Sequence, residues 1–347
     1  MTSIAVWGSY SHGNFGDDMM ARIFVDHLSR RGHDVSLVTS NPLLAEQVGA
    51  APVPDLRRWH GKTVVIGGGA MLSNSHRIRR YVSSASRTVE REFSDLCRFV
   101  ERTPGARVVP ISIGSDGIAR PLIDGSRRQL FSSAAAPHGT VRLHDDVALM
   151  KSKFSKTYEY VPDILFSVRS ARGIRTEEAL SAPSDRPFRI GVNLNRRHAG
   201  EALAAVRRSI PNNSEIVSLI THSDHFRATY EWAPLGSQTV RYQRLDDFVN
   251  ELAKLDLLIS DKLHVGMTAA GLGVPFISFK GRGKTVALHR ELDLAALAVD
   301  SGARLGPLVD ALSHGGRVRS LRDAITTEGL DAQASRHLEL LDEYVAD

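Results

Sequence analysis

Short apolar runs rich in valine and isoleucine alternate along this chain with longer stretches whose apolar residues recur every three or four positions. The first pattern predicts buried strands and the second predicts amphipathic helices. "SIAVWG" (3 to 8) reads as a strand, and "DDMMARIFVDHLSRRG" (17 to 32) as a helix closed by Gly32. The series continues with strands "DVSLVTS" (34 to 40) and "KTVVIGGG" (62 to 69), a long helix around 77 to 102, and strands at 106 to 114, 139 to 145 and 158 to 166. A polar, proline-containing stretch follows, "ARGIRTEEALSAPSDRPF" (171 to 188). A second series then runs through strands at 189 to 195, 215 to 223 and 239 to 244, a helix at 245 to 255, a strand at 256 to 260, a helix at 264 to 272 and a strand at 275 to 279.

Two strand–helix series joined by a polar segment predict two doubly wound α/β domains facing each other, over residues 1 to 170 and 185 to 347. The length of 347 residues agrees, because single cores stop growing near ~250 to 300 residues. In such sheets ligands bind outside the carboxyl ends of the strands, so the residues there are where chemistry is sought.

Composition narrows the class without naming an activity. With 42% apolar and 24% charged residues the chain is an ordinary globular one. A single cysteine, Cys97, leaves no internal disulfide framework and no cysteine-rich zinc site, and suits a reducing cytoplasm. The N-terminus lacks the basic and long apolar regions of a signal peptide, and no run approaches the ~20 apolar residues that span a bilayer. The net charge of +5 comes from arginine more than lysine, with basic runs at 76 to 92 and 195 to 209. Such runs are usually solvated helix faces; the functional reading is a phosphate-rich ligand or peripheral contact with an anionic membrane. No aromatic-interleaved basic motif points to nucleic acid.

Five stretches carry candidate chemistry. "GSYSHGNFGDD" after the first strand offers Asn14 and a glycine-rich turn to a ligand, or is a plain turn with Asp17 capping a helix. "VVIGGGAML" puts Gly67, Gly68 and Gly69 directly after a strand, where backbone approaches either a ligand or other backbone. "FKGRGKT" imitates the end of a phosphate loop, but the first glycine of that motif would fall at Ser278; Arg282 and Lys284 remain as anion contacts. "THSDH" holds His222 and His225 without further metal ligands at a recognisable spacing, so it reads as a polar loop and no metal is expected. The densest stretch is "LLISDKLHVGMTAAGLGVPFISF" (257 to 279). It places Asp261, Lys262 and His264 between a buried strand and the start of a helix poor in bulk, a place suited to an anion.

These blocks together resemble the polysaccharide pyruvyl transferases. "GNFGDDMM" (13 to 20) is similar to the family's Asn-x-Gly-Asp block, and "VVIGGGAML" (64 to 72) to its Gly-Gly-Gly block. "PISIGSDG" (110 to 117) with "YVPDILF" (160 to 166) is similar to the middle, and 257 to 279 to the Ser-x-Arg-Leu-His block. The resemblance implies a glycosyltransferase B type fold of two facing Rossmann-like domains. It implies transfer of the enolpyruvyl group of phosphoenolpyruvate to two hydroxyls of a glycan as a ketal, with release of phosphate. The acceptor would be a lipid-linked or nucleotide-linked precursor of a cell-surface polymer, and phosphoenolpyruvate a co-substrate, with no further cofactor. His264 matches the family histidine as general acid or base. Lys262, Leu263, Arg282 and Lys284 would contact the donor, and Asn14, Asp17, Gly68 and Gly69 would lie on the acceptor side.

Two positions depart from the family pattern. Lys262 stands where the family has arginine, which keeps a point charge and loses the bidentate fork. The middle Arg-Asp pair falls in "VRLHDD", with Arg142 in a shifted register or His144 in the strict one. A transferase of the same fold using another anionic donor, such as a nucleotide sugar, is the first alternative; a non-catalytic glycan- or phosphate-binding protein is the second. Oligomeric state is not written in the sequence.

Overall fold

A computed structural model describes residues 2–72, 84–115, 123, 125–172, 186–223, 238–314 and 328–346. The start of the helix expected from 77, the joining segment over 173–185, Asp116, Gly117, Asp224 and His225 lie outside the described residues.

The chain divides into two compact units. The first comprises Met1–Gly13, Asp17–Ile164 and Gln333–Asp347; the second comprises Asn14–Gly16 and Leu165–Ala332. The sequence placed a division between 170 and 185, whereas here it falls at Ile164 and Leu165, and the last residues return to the first unit. His337 anchors that return: its Nδ1 lies 2.7 Å from Thr140 Oγ1 and its Nε2 lies 2.8 Å from the Pro162 carbonyl.

The first unit holds a parallel sheet of β1 (Ser3–Trp7), β2 (Asp34–Val38), β3 (Ala51–Val53), β4 (Thr63–Gly69), β5 (Arg107–Ile113), β6 (Thr140–Val141) and β7 (Glu159–Tyr160), in the order β3-β2-β1-β4-β5-β6-β7. The second holds β8 (Phe188–Asn193), β9 (Ser214–Ile220), β10 (Gln238–Arg241), β11 (Leu257–Ser260), β12 (Phe276–Phe279) and β13 (Ala298–Val299), in the order β10-β9-β8-β11-β12-β13. Every pairing in both sheets is parallel. Central strands buried on both faces account for the unbroken apolar runs. Both sheets wind out from the first strand and then back across it, the Rossmann order, so the order reverses between β1 and β4 and between β8 and β11.

Two expected strands are shorter than their apolar runs. "GTVRLHD" pairs only over Thr140–Val141, because a helix starts at His144, with Asp145 and Asp146 in its first turn favouring the dipole. "YEYVPDILF" pairs only over Glu159–Tyr160; Pro162, which has no amide hydrogen, ends it, and a short 3-10 turn covers Ile164–Ser167.

Candidate functional site

The carboxyl edge of the second sheet carries a row of buried polar side chains. Asn193, Ser260 and Ser278 are in register on β8, β11 and β12, and none exceeds 1% exposure. The Ser260 hydroxyl donates to Asn193 Oδ1 at 3.1 Å, and Asn193 Nδ2 donates to the Leu219 carbonyl at 2.9 Å. Ser260 Oγ also accepts the Lys262 amide at 2.9 Å, which fixes the turn out of β11 and the helix entry at Leu263. Buried hydroxyls and amides satisfied in this way hold a geometry rigidly.

The Leu263–Gly271 helix is poor in bulk because two neighbours press on it. A Cβ on Gly266 would stand 2.2 Å from the Phe276 ring, and one on Gly271 would stand 2.6 Å from the Leu165 carbonyl oxygen. His264 is the second residue of this helix and is half-buried. Against it lies Gly16: a Cβ there would fall 2.1 Å from the His264 Cβ. The strip carrying Gly16 is fastened to the second unit on its own account. The Phe15 amide donates to the Thr221 carbonyl at 2.9 Å, Asn14 bridges to His222, and the Phe15 ring packs on Tyr242 and Phe248. The Asn14 side chain turns back to accept the Gly16 amide at 3.1 Å. Two motif blocks far apart in the chain therefore share one surface, and Asn14, which the resemblance put on the acceptor side, belongs to the same unit as His264.

Around that surface, Lys262 is half-buried with its Nζ 4.0 Å from Asp261 Oδ1. Leu263 is buried, so its amide is what it offers a ligand. Arg282 caps the Gly283–Glu291 helix and is exposed; Lys284 is the second residue of that helix. Lys280, with φ of +52°, pairs with Glu201. Asp261, which the sequence placed beside Lys262 and His264 without a role of its own, is the most connected acid here: its Oδ2 accepts the Asn195 amide at 2.9 Å and His198 Nδ1 at 3.0 Å. His198 lies in the basic run read as a solvated face. The signal for it was the polar Asn195 closing a strand run three residues before a histidine.

The remaining candidates sit in the first unit. Arg142 is buried and paired with buried Asp163 at 3.0 Å, whereas His144 is exposed and stacks on Tyr160 with ring centres 3.7 Å apart. Burial raises the pKa of neighbouring Asp146, whose Oδ1 accepts the Ser115 amide at 3.1 Å. Asp17 lies in the first turn of the Phe15–Arg30 helix. Burial first, then the charges of Asp17 and Asp18, raise the pKa of the Tyr10 phenol, which donates to the Gly67 carbonyl at 2.6 Å. Gly68 and Gly69 have φ of +70° and +87°, and the side of Gly68 that a Cβ would take is filled by Met20. The described residues gather no group of three or more His, Cys, Asp or Glu that could hold a metal ion.

The structure is similar over its full length to the S. aureus MnaA–UDP co-structure, with TM-score 0.62, 10% identity, and 100% of this chain and 97% of that chain covered. It is similar to UDP-GlcNAc 2-epimerase from Neisseria meningitidis bound to UDP-GlcNAc, with TM-score 0.61, 11% identity and 100% of both chains covered. It is also similar to Acinetobacter baumannii MurG, with TM-score 0.53, 12% identity, and 99% and 100% coverage. At these identities the likeness is one of fold, the glycosyltransferase B type. No curated protein sequence matches the chain. The family profile described as polysaccharide pyruvyl transferase matches residues 14–281, from the Asn14 strip through the Lys-Leu-His block to the loop after β12. The chain is a member of the polysaccharide pyruvyl transferase family.

Proposed function

We propose that this protein moves the enolpyruvyl group of phosphoenolpyruvate onto two hydroxyls of a glycan, forming a pyruvate ketal and releasing phosphate. The observation that carries the reading is the contact of Gly16 with His264, which joins the family's first and last motif blocks on one surface. The chemistry fixes the proton traffic. C3 of the donor gains a proton to become a methyl group, C2 gains two oxygen bonds, and the C2–O bond to phosphate breaks. Two hydroxyl protons are lost, one ending on C3 and one on phosphate. No electrons are exchanged with a third party, so the reaction calls for no redox cofactor.

His264, half-buried at a helix start, is the group assigned to proton transfer. Lys262 and the first amides of its helix suit the donor's carboxylate or phosphate, and Arg282 and Lys284 offer a second pair of cations. The acceptor belongs to the class of cell-surface glycan precursors, carried on a lipid or a nucleotide. No helix among the described residues is long and apolar enough to cross a membrane, so a lipid-held acceptor would be met from the membrane surface.

The test is the ligand-induced shift in melting temperature. Phosphoenolpyruvate at ~100 times its dissociation constant adds ~2.7 kcal/mol of stability to the wild type. The His264→Ala variant is expected to keep that shift while losing phosphate release. Nucleotide sugars are run alongside; a shift with them and none with phosphoenolpyruvate would sink the donor assignment.

A further inference from the structure

The Asp261–His198 pair has no part in the reaction as described so far, yet it occupies the switch point of the second sheet. Strand order reverses between β8 and β11, and the crevice beyond their carboxyl ends is where doubly wound sheets take ligands. Asp261 follows β11, and Asn195 and His198 follow β8, so the pair straddles that crevice. The carboxylate is pinned: Oδ2 accepts the Asn195 amide and His198 Nδ1, and the Asp261 amide donates to the Asn193 carbonyl at 3.3 Å. A carboxylate on Nδ1 assigns the ring proton to that nitrogen and leaves Nε2 as the basic one. Among the described residues Nε2 has no hydrogen-bond partner, and the side chain is 14% exposed, so solvent-borne groups reach it. The second oxygen, Asp261 Oδ1, is buried without a hydrogen bond among the described residues.

We infer that His198, oriented by Asp261, is a second catalytic residue that takes the proton from a glycan hydroxyl as its oxygen attacks C2. The inference rests on the phosphoenolpyruvate reading. In the first addition the hydroxyl oxygen bonds to C2 while the C2–C3 π electrons take up a proton at C3. Acid and base are wanted at the same moment, and a lone histidine supplies only one. His264 delivers the proton to C3; His198 Nε2 accepts the hydroxyl proton. The phosphate then departs with the C2–O electrons and the proton held on His198, and the second hydroxyl oxygen closes the ketal as its proton returns to His264, so both histidines are restored. Two basic groups thus match two hydroxyls.

The charges facing His198 come from two segments, the turn after β11 and its own helix. Asp261 holds Nδ1; Glu201, one turn along the same helix, faces the ring and is itself held by Lys280 from beyond β12 and by the Gly302 amide.

The experiment measures phosphate release from phosphoenolpyruvate, with soluble p-nitrophenyl hexosides as acceptor probes, against pH. The wild type is compared with His198→Gln, which keeps an amide to hydrogen-bond Asp261, and with Asp261→Asn. The expected result for His198→Gln is a fall in kcat of about 100-fold, an unchanged melting shift with phosphoenolpyruvate, and loss of the acidic limb of the pH profile. Asp261→Asn, which no longer fixes the ring proton on Nδ1, should lower kcat as well while keeping the melting shift with phosphoenolpyruvate. A merely structural tie between helix and strand would lower the melting temperature and leave the limb in place. His198→Gln turning over within twofold of an active wild type overturns this inference alone. A wild type that neither binds nor consumes phosphoenolpyruvate overturns the donor reading and this inference with it.

Discussion

Gly16 and His264 are in such close contact that no side chain fits between them: the Cβ that an alanine would add at 16 falls 2.1 Å from the His264 Cβ. The glycine of the Asn-x-Gly block is therefore required by the histidine of the Lys-Leu-His block. The fastening of the strip by Phe15, whose ring lies among Tyr242 and Phe248, leaves it little room to retreat.

Gly16→Ala follows directly as a test. Overpacking at a fixed contact costs ~1–3 kcal/mol, and the displaced partner here is the assigned proton-transfer group. Phosphate release should fall at least tenfold while the variant stays folded by circular dichroism. Full activity in Gly16→Ala would show that the strip yields freely and that the contact does not position His264.

Lys262 stands where the family pattern has arginine. A planar fork makes two parallel hydrogen bonds to a carboxylate or phosphate, and a lysine makes one point contact. Lys262→Arg should tighten phosphoenolpyruvate binding by about tenfold, read by isothermal titration, since one further bond to a charged group contributes roughly 1.5 kcal/mol. Asp261 Oδ1 lies within 4.0 Å of the present ammonium. Unchanged affinity would mean that the new guanidinium turns to that carboxylate and the donor lies elsewhere.

The alternation of apolar runs carried most of the fold. Strands as apolar as β1, β4, β5, β8, β11 and β12 are legible because burial on both faces leaves them no polar side. The edge strands Ala51–Val53 and Ala298–Val299 are not, because two or three residues carry no period. Chemistry was legible where motif residues were local, as in Asp261, Lys262 and His264. It was not where the chain brings distant segments together. His198 sits in a run of arginines whose exposed members outweigh its neighbours, and the buried Ala199, Ala202 and Leu203 that turn it towards Asp261 are small or few. The glycine triplet posed the opposite problem: its residue types fit a ligand cradle equally well, and it takes the Tyr10, Phe24, Met20 and Met71 side chains to show what fills it.

Gly68→Ala separates those two readings. The backbone there has φ of +70°, and an added Cβ would stand 2.2 Å from the Met20 sulfur. Left-handed strain costs ~1–2 kcal/mol and overpacking a flexible methionine somewhat less than a rigid wall. The first unit should lose roughly 2 kcal/mol in urea titration, with the phosphoenolpyruvate-induced shift retained. A variant of unchanged stability that had lost ligand response would assign the triplet to binding instead.

His337 should make the first unit sensitive to mild acid. It is fully buried, and burial lowers its pKa from the ordinary 6.5 to about 4, against the opposing pull of Asp163. The Thr140 hydroxyl and the Pro162 carbonyl bracket the neutral ring, the one donating to Nδ1 and the other accepting from Nε2–H. Because the folded pKa is the lower one, the unfolded chain binds the proton more readily between pH 6.5 and 4. The contribution is complete above the unfolded value and is lost as pH falls towards the folded one, about 3 kcal/mol in all at ~1.4 kcal/mol per unit. Asp146 acts in the opposite sense, since its raised pKa favours the folded state at low pH. The effect is therefore read as a difference: urea stability of the wild type from pH 7.5 to pH 4.5, less the same series for His337→Gln. The glutamine can span the same two partners and does not titrate, so the wild type should lose stability with acid more steeply than the variant. Parallel slopes for the two would show that the imidazole is protonated in the folded state as readily as in the unfolded chain.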